Sequence, residues 1–187
     1  MIWYEILNIY NNILLYIMNN KTKKLKVPLR YLPLGLNNKD KEKQKKMLLK
    51  SRRLYKKEKY YKRDKLQSFV NKTSKHIIKA RKIYKINSIK PSIELSKKTG
   101  CSLKGLKKIV NKGEGAYFSS GSRPNQTSQS WGIARLASAI TSGKSAVVDY
   151  NILEEECDHN KTAFKLAKEA KIKYGYGNGK RKKVILN

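Results

Sequence analysis

The residues with the most chemistry to offer lie between Lys112 and Leu153, in KGEGAYFSSGSRPNQTSQSWGIARLASAITSGKSAVVDYNIL. Before and after this stretch the chain is mostly Lys punctuated by Ile, Leu and Tyr. Within it Gly, Ser, Ala and Gln replace Lys, Arg123 and Arg135 flank Trp131, and acids nearly vanish until Asp149. Arg123, Gln126, Ser130, Arg135 and Lys144 supply guanidinium, amide, hydroxyl and ammonium donors, a set that suits phosphate or phosphodiester oxygens. Gly121 can take a positive φ in SSGSRP, letting successive backbone N–H groups form an anion nest beside Arg123. Ser130 reads as the N-cap of a helix starting at Trp131, whose amino end adds partial positive charge. A second reading stands beside this one: Arg123 and Arg135 pin the loop by bonding carbonyls or Asp149.

No reaction can be read from these residues. GEGAYF has Phe118 where a dinucleotide fingerprint needs its third glycine, and SGKS has Ser138 where a phosphate-binding loop needs its upstream glycine. Neither a nucleophile–base pair nor paired carboxylates emerge, so a binding protein is expected rather than an enzyme. A nucleic-acid-processing enzyme using Arg123 and Arg135 is the weaker third class. Glu154, Glu155, Glu156, Cys157, Asp158 and His159 are ligand types, but neighbours on one short helix point in different directions. Their expected role is to neutralise a basic surface of this chain or of a neighbouring copy, with no metal and no cofactor. Cys101 and Cys157, the only cysteines, lack ligand spacing and make no disulfide framework, which implies a reducing compartment.

Charge identifies the partner class. The chain has 187 residues with 44 Lys+Arg against 13 Asp+Glu, a net charge of +31. Such self-repulsion in a compact fold needs a polyanion or salt to offset it. Phosphate backbones come first and acidic membrane surfaces second. Codon usage in an AT-rich genome also favours Lys, Asn, Ile and Tyr, but it would raise Asp and Glu alongside Asn, and here acids are scarce. DNA is the favoured nucleic acid.

The elements that must position these groups read as mainly α. Residues 1–20 include an apolar stretch in which Glu5, Asn8 and Asn12 fall on one helical face and Ile2, Ile6, Ile9, Ile13 and Ile17 on another. That pattern fits an amphipathic helix better than a membrane span, with peripheral membrane contact as one use. Residues 1–17 read equally as an extension upstream of Met18. Residues 21–65 form a lysine-rich helical arm. Its helix, from Lys39 to about Lys57 and capped by Asn37 or Asn38, carries only a thin apolar stripe of Met47, Leu48, Leu54 and Tyr55. It either packs lightly on the domain or folds against nucleic acid. In KYYKRDK, Tyr60 and Tyr61 suit stacking on bases and Lys62 and Arg63 suit phosphates, although buried rings with wet hydroxyls are the commoner use.

Residues 66–171 read as a compact helical domain. A helix is expected across Leu66 to Tyr84. Pro91, Gly100 and Ser102 punctuate a helix-turn-helix-like hairpin whose second helix, ending at Gly113, offers Ser102, Lys104, Lys107 and Lys108 to a DNA groove. Ser96 and Thr99 stand where that motif uses apolar residues, so a packing hairpin remains an alternative. A further short helix follows from Ala146, and Asn160 caps a last one through Lys171. Residues 172–187 read as a flexible basic tail, with Lys180, Arg181, Lys182 and Lys183 for phosphates and Tyr174 and Tyr176 for bases.

From about Val27 to Ala170 the chain resembles a family of uncharacterised proteins encoded by large nucleocytoplasmic DNA viruses, with shorter relatives in tailed phages. The resemblance rests on KVPLRYLP, SKHIIKARKIY, SKKTGC and above all GEGAYFSSGSRPNQTSQSWGIARLASAITSGK with VDYNIL. It implies a viral origin and a virion- or genome-associated role, in the virion and in the host-cell cytoplasm at the viral factory. Together with the charge, this gives the expected function: non-enzymatic binding and condensation or packaging of viral nucleic acid. The alternative is a minor structural virion protein that contacts other virion proteins and links capsid or internal membrane to the core.

Overall fold

Side-chain caps set most helix starts. In the computed structural model of the protein, which describes residues 25–175 and 183–186, Asn37 accepts from the Asp40 N–H at 2.8 Å and opens α1 (Asn38–Tyr55). Ser74 opens α2 (Lys75–Tyr84), Ser92 opens α3 (Ile93–Thr99), and Ser102 opens α4 (Leu103–Ser119) by accepting from the Gly105 N–H. Thr127 caps α5 (Ser128–Ala139), and α6 (Lys144–Val148), α7 (Tyr150–Glu156) and α8 (Thr162–Tyr174) follow. Those helices and one two-stranded sheet make the protein mainly α, as expected.

The sheet departs from the expected tail. β1 (Leu25–Pro28) pairs antiparallel with β2 (Lys183–Leu186), Leu25 opposite Leu186. Alternation explains it: Val184 and Leu186 turn inward onto a small core of Val27, Tyr31, Leu32 and Leu48, while Lys183 and Ile185 face out. The last helix also runs on to Tyr174, beyond Lys171. Residues 1–20, Tyr176, Lys180, Arg181 and Lys182 lie outside the described residues.

Two glycines make the centre of the fold. A Cβ on Gly113 would sit 2.6 Å from the Gly132 Cα, and one on Gly132 would sit 2.7 Å from the Val110 carbonyl oxygen. The backbones of α4 and α5 therefore touch where they cross. Gly113 does not end α4, which continues six residues to Ser119, because this glycine serves the crossing rather than a stop. Around it Leu106, Ile109, Leu136, Ala137, Ile140 and Phe164 fill the main core. The helix expected from Leu66 begins only at Lys75, since Leu66 to Phe69 are bonded to the loop before α5 instead.

The hairpin of α3 and α4 has the expected turn, with Gly100 at φ 77° and Ser102 as cap. Its two unexpected polar residues satisfy themselves locally. Ser96 Oγ donates to the Cys101 carbonyl at 2.6 Å and Thr99 Oγ1 to the Leu95 carbonyl at 2.7 Å. Cys101 and Cys157 form a β-bridge and a disulfide that closes 56 residues of chain. That corrects the reading of them as unpaired thiols: α7 turns back so that Cys157 meets Cys101 across one pair of backbone hydrogen bonds, a proximity that spacing along the chain does not reveal.

The lysine-rich segment packs on the domain. Met47 and Leu48 are buried, and Gln44 donates to the Tyr31 and Ser122 carbonyls at 3.1 and 3.4 Å. Arg63 is buried too. Its guanidinium donates to Ser51 Oγ, the Tyr117 carbonyl and Ser122 Oγ at 3.0, 3.0 and 2.7 Å and lies 3.6 Å over the Tyr117 ring. It pins the end of α4 and the loop after it, so it is not a phosphate contact, and burial pulls its pKa down.

Candidate nucleic-acid interface

The loop from Ser120 to Thr127 is built by its neighbours. Gly121 has φ 101°, and a Cβ there would lie 2.7 Å from Leu48, so both conformation and space require glycine. The N–H groups of Ser120 and Gly121 both donate to the Ala116 carbonyl at 3.0 Å, closing α4. Those two are therefore not available to an anion, which removes them from the expected nest. Asn125, at φ 56°, staples the loop to the preceding segment. Its Oδ1 accepts from the Leu66 N–H, and its Nδ2 donates to the Leu66 and Phe69 carbonyls.

The start of α5 differs from expectation by three residues. Thr127, not Ser130, is the N-cap. Ser130 completes a capping box, each side chain accepting from the other's N–H at 3.0 Å. Ser130 Oγ lies 2.9 Å from Gln126 Oε1, and Gln126 Nε2 donates to Asn71 Oδ1 at 3.1 Å. The amide and hydroxyl read as ligand contacts are thus tied to each other and to the segment before α2. Arg135 realises the pinning reading. Its Nε and Nη2 donate to both oxygens of Asp149 at 2.7 and 2.6 Å, and Lys112 Nζ lies 3.1 Å from the same fully buried carboxylate.

These residues converge all the same. Arg123, Gln126, Ser130, Arg135 and Lys144 line one groove of about 860 Å³, joined by Arg30, Lys72, Trp131 and Tyr174. None of the groove's described lining residues is acidic. Arg135, its side chain 17% exposed, is the recessed cation, whereas Lys72, Arg123 and Lys144 are exposed. Arg30, Lys72, Arg123 and Lys144 have no carboxylate within ion-pair distance among the described residues. Arg30 lies 5.7 Å over the Trp131 ring and Lys144 5.6 Å over Tyr174. His76, also on the wall, has its pKa lowered first by burial and then by Lys79. It is neutral at neutral pH and adds no charge.

The hairpin cations sit elsewhere. Lys108 pairs with Glu156 at 2.6 Å and Glu155 at 3.4 Å, and Lys104 lies 3.9 Å from Glu156. Ser102 Oγ also bonds Glu156. α7 packs so closely there that a Cβ on Gly105 would lie 3.1 Å from the Glu156 Cγ. The acidic cluster thus neutralises a basic surface of its own chain, and the first turn of α4 is engaged by α7. Lys107 is exposed, and Lys183 lies on β2. Among the described residues no group of three or more His, Cys, Asp or Glu is placed to hold a metal ion, and no helix is long and apolar enough to cross a membrane.

Arg30, Lys72 and Asn71 were missed as groove residues because they lie far from α5 in sequence, Arg30 in a short 3-10 helix (Leu29–Tyr31) and Asn71 and Lys72 in the irregular stretch before α2. Comparison with known proteins gives a match over residues 28–162 to the model of a family of unknown function, DUF5824. No curated protein and no solved structure matches the chain. The matched span takes in the loop, α5 and all five groove cations, leaving β2 and most of α8 outside.

Proposed function

We propose that this chain, which belongs to the DUF5824 family, functions in non-enzymatic binding of nucleic acid, with DNA favoured and a viral genome as the target. The observation that carries this reading is the groove. Four cations without carboxylate partners and a fifth held by Asp149 line a concave surface with no acid among its described residues. Elsewhere acids pair with lysines, at Lys43, Lys45, Lys104 and Lys108. Leaving one concave surface without acids concentrates positive potential where phosphates would enter. The net charge of +31 adds sequence-independent attraction around it.

Packaging or condensation in the virion or viral factory is the setting proposed, on the resemblance of GEGAYFSSGSRPNQTSQSW to proteins of large DNA viruses. The test is binding of a mixed-sequence DNA oligonucleotide across a salt series. Affinity falling steeply with salt, by about 0.7 to 0.9 log units per log unit of salt for each phosphate contacted, supports the reading. A flat response overturns it.

A further inference from the structure

We infer that the groove takes unpaired nucleotides, so that single-stranded nucleic acid is its ligand and duplex is held only by the general basic surface. The inference rests on the nucleic-acid reading above and deepens it. Four separate elements bring two aromatic–cation couples to one concavity: Arg30 after β1 over Trp131 of α5, and Lys144 of α6 over Tyr174 of α8. Trp131 and Tyr174 are both half-buried and both line the groove.

A ring beside a cation matches one nucleotide of a single strand, with the base stacking on the ring and the phosphate meeting the cation. Bases within a duplex are already stacked on their neighbours and offer no free face. Depth points the same way. Arg135 is recessed and fixed by two hydrogen bonds to buried Asp149. The convex phosphate surface of a duplex reaches exposed rim cations such as Arg123, whereas a flexible strand can lower a phosphate to Arg135. The volume of about 860 Å³ is of small-ligand size, suited to a few nucleotides rather than to the side of a duplex.

Binding of oligo(dT) and oligo(U), each twelve nucleotides long, is compared with that of a twelve-base-pair duplex at one salt concentration, using the full chain with Trp3→Phe so that Trp131 alone reports. The single strands are expected to bind about tenfold tighter or better than the duplex and to quench Trp131 emission, while the duplex leaves emission unchanged. Tyr174→Ala is expected to weaken single-strand binding about tenfold and to leave duplex binding as it was. Because Tyr174 also touches the core, its variant is checked for an unchanged melting curve, and quenching in the parent chain stands independently of it. Equal affinity for both forms with no quenching overturns this inference while leaving nucleic-acid binding intact. Failure of every oligonucleotide to bind overturns the underlying function instead.

Discussion

Arg135 grips both oxygens of Asp149, at 2.7 and 2.6 Å, and this pair ties α5 to the junction between α6 and α7. Asp149 is fully buried and also faces Lys112 at 3.1 Å. Two cations on one carboxylate leave a positive charge at the groove, so the pair is at once a brace and a source of potential. Asp149→Ala is expected to cost about 3 to 5 kcal/mol, because it leaves a part-buried guanidinium unpaired. Arg135→Lys keeps the charge but loses the two-pronged contact and should cost less. Urea denaturation midpoints decide between them.

Two glycines of α4, Gly113 and Gly115, are expected to respond in opposite directions. Gly113→Ala drives a Cβ into Gly132 and should destabilise by about 1 to 3 kcal/mol. Gly115, two residues on, has only the Tyr55 hydroxyl at 3.7 Å from an added Cβ. Gly115→Ala should therefore stabilise by about 0.5 to 1 kcal/mol, the ordinary gain of alanine over glycine inside a helix. Thermal melts of the two variants check the sign of each.

Reduction of the Cys101–Cys157 disulfide opens a link spanning 56 residues. Loop-closure entropy puts its contribution at roughly 4 kcal/mol. Denaturation with and without dithiothreitol measures it, and Cys101→Ser with Cys157→Ser should match the reduced protein.

Acid should release α7 from α4. Hydrogen bonds from Lys108 and then Ser102 hold the Glu156 carboxyl below the usual glutamate range. A lowered folded-state pKa stabilises the fold above the unfolded-state value, and that stability is lost as pH falls through the folded one. Stability should thus decline below the usual glutamate range, and Glu156→Gln should flatten this part of the pH profile. Denaturation midpoints across a pH series give the comparison.

Where capping chemistry is local, the sequence was legible. Asn37, Ser102 and the left-handed Gly100 stand where the residue types place them, and the helical class follows from the 3.6-residue pattern. Contacts that depend on what lies opposite were not. Gly113 looks like a stop until Gly132 is seen against it. Arg63 looks like a surface cation until Ser51, Tyr117 and Ser122 surround it. For the groove, the 112–153 stretch supplied Arg123, Arg135, Lys144 and the Trp131 wall, with Tyr174 noted for base stacking. Arg30 and Lys72 enter through tertiary packing that brings segments remote in sequence alongside α5. The hairpin's Lys104 and Lys108 read as phosphate contacts from sequence alone, and only packing brings Glu156 of α7 to within 3.9 and 2.6 Å of them.

The most direct test sets the groove against the hairpin. Lys72→Gln with Arg123→Gln removes two exposed groove cations, and Lys104→Gln with Lys107→Gln removes two from α4. A short duplex carrying a single-stranded overhang is titrated with each variant and the unaltered protein across a salt series. The groove variant should lose affinity and reduce the salt slope by roughly 0.7 to 0.9 for each cation removed, while the hairpin variant stays close to the parent. A groove variant that binds like the parent, or a hairpin variant that carries the loss, would contradict the account.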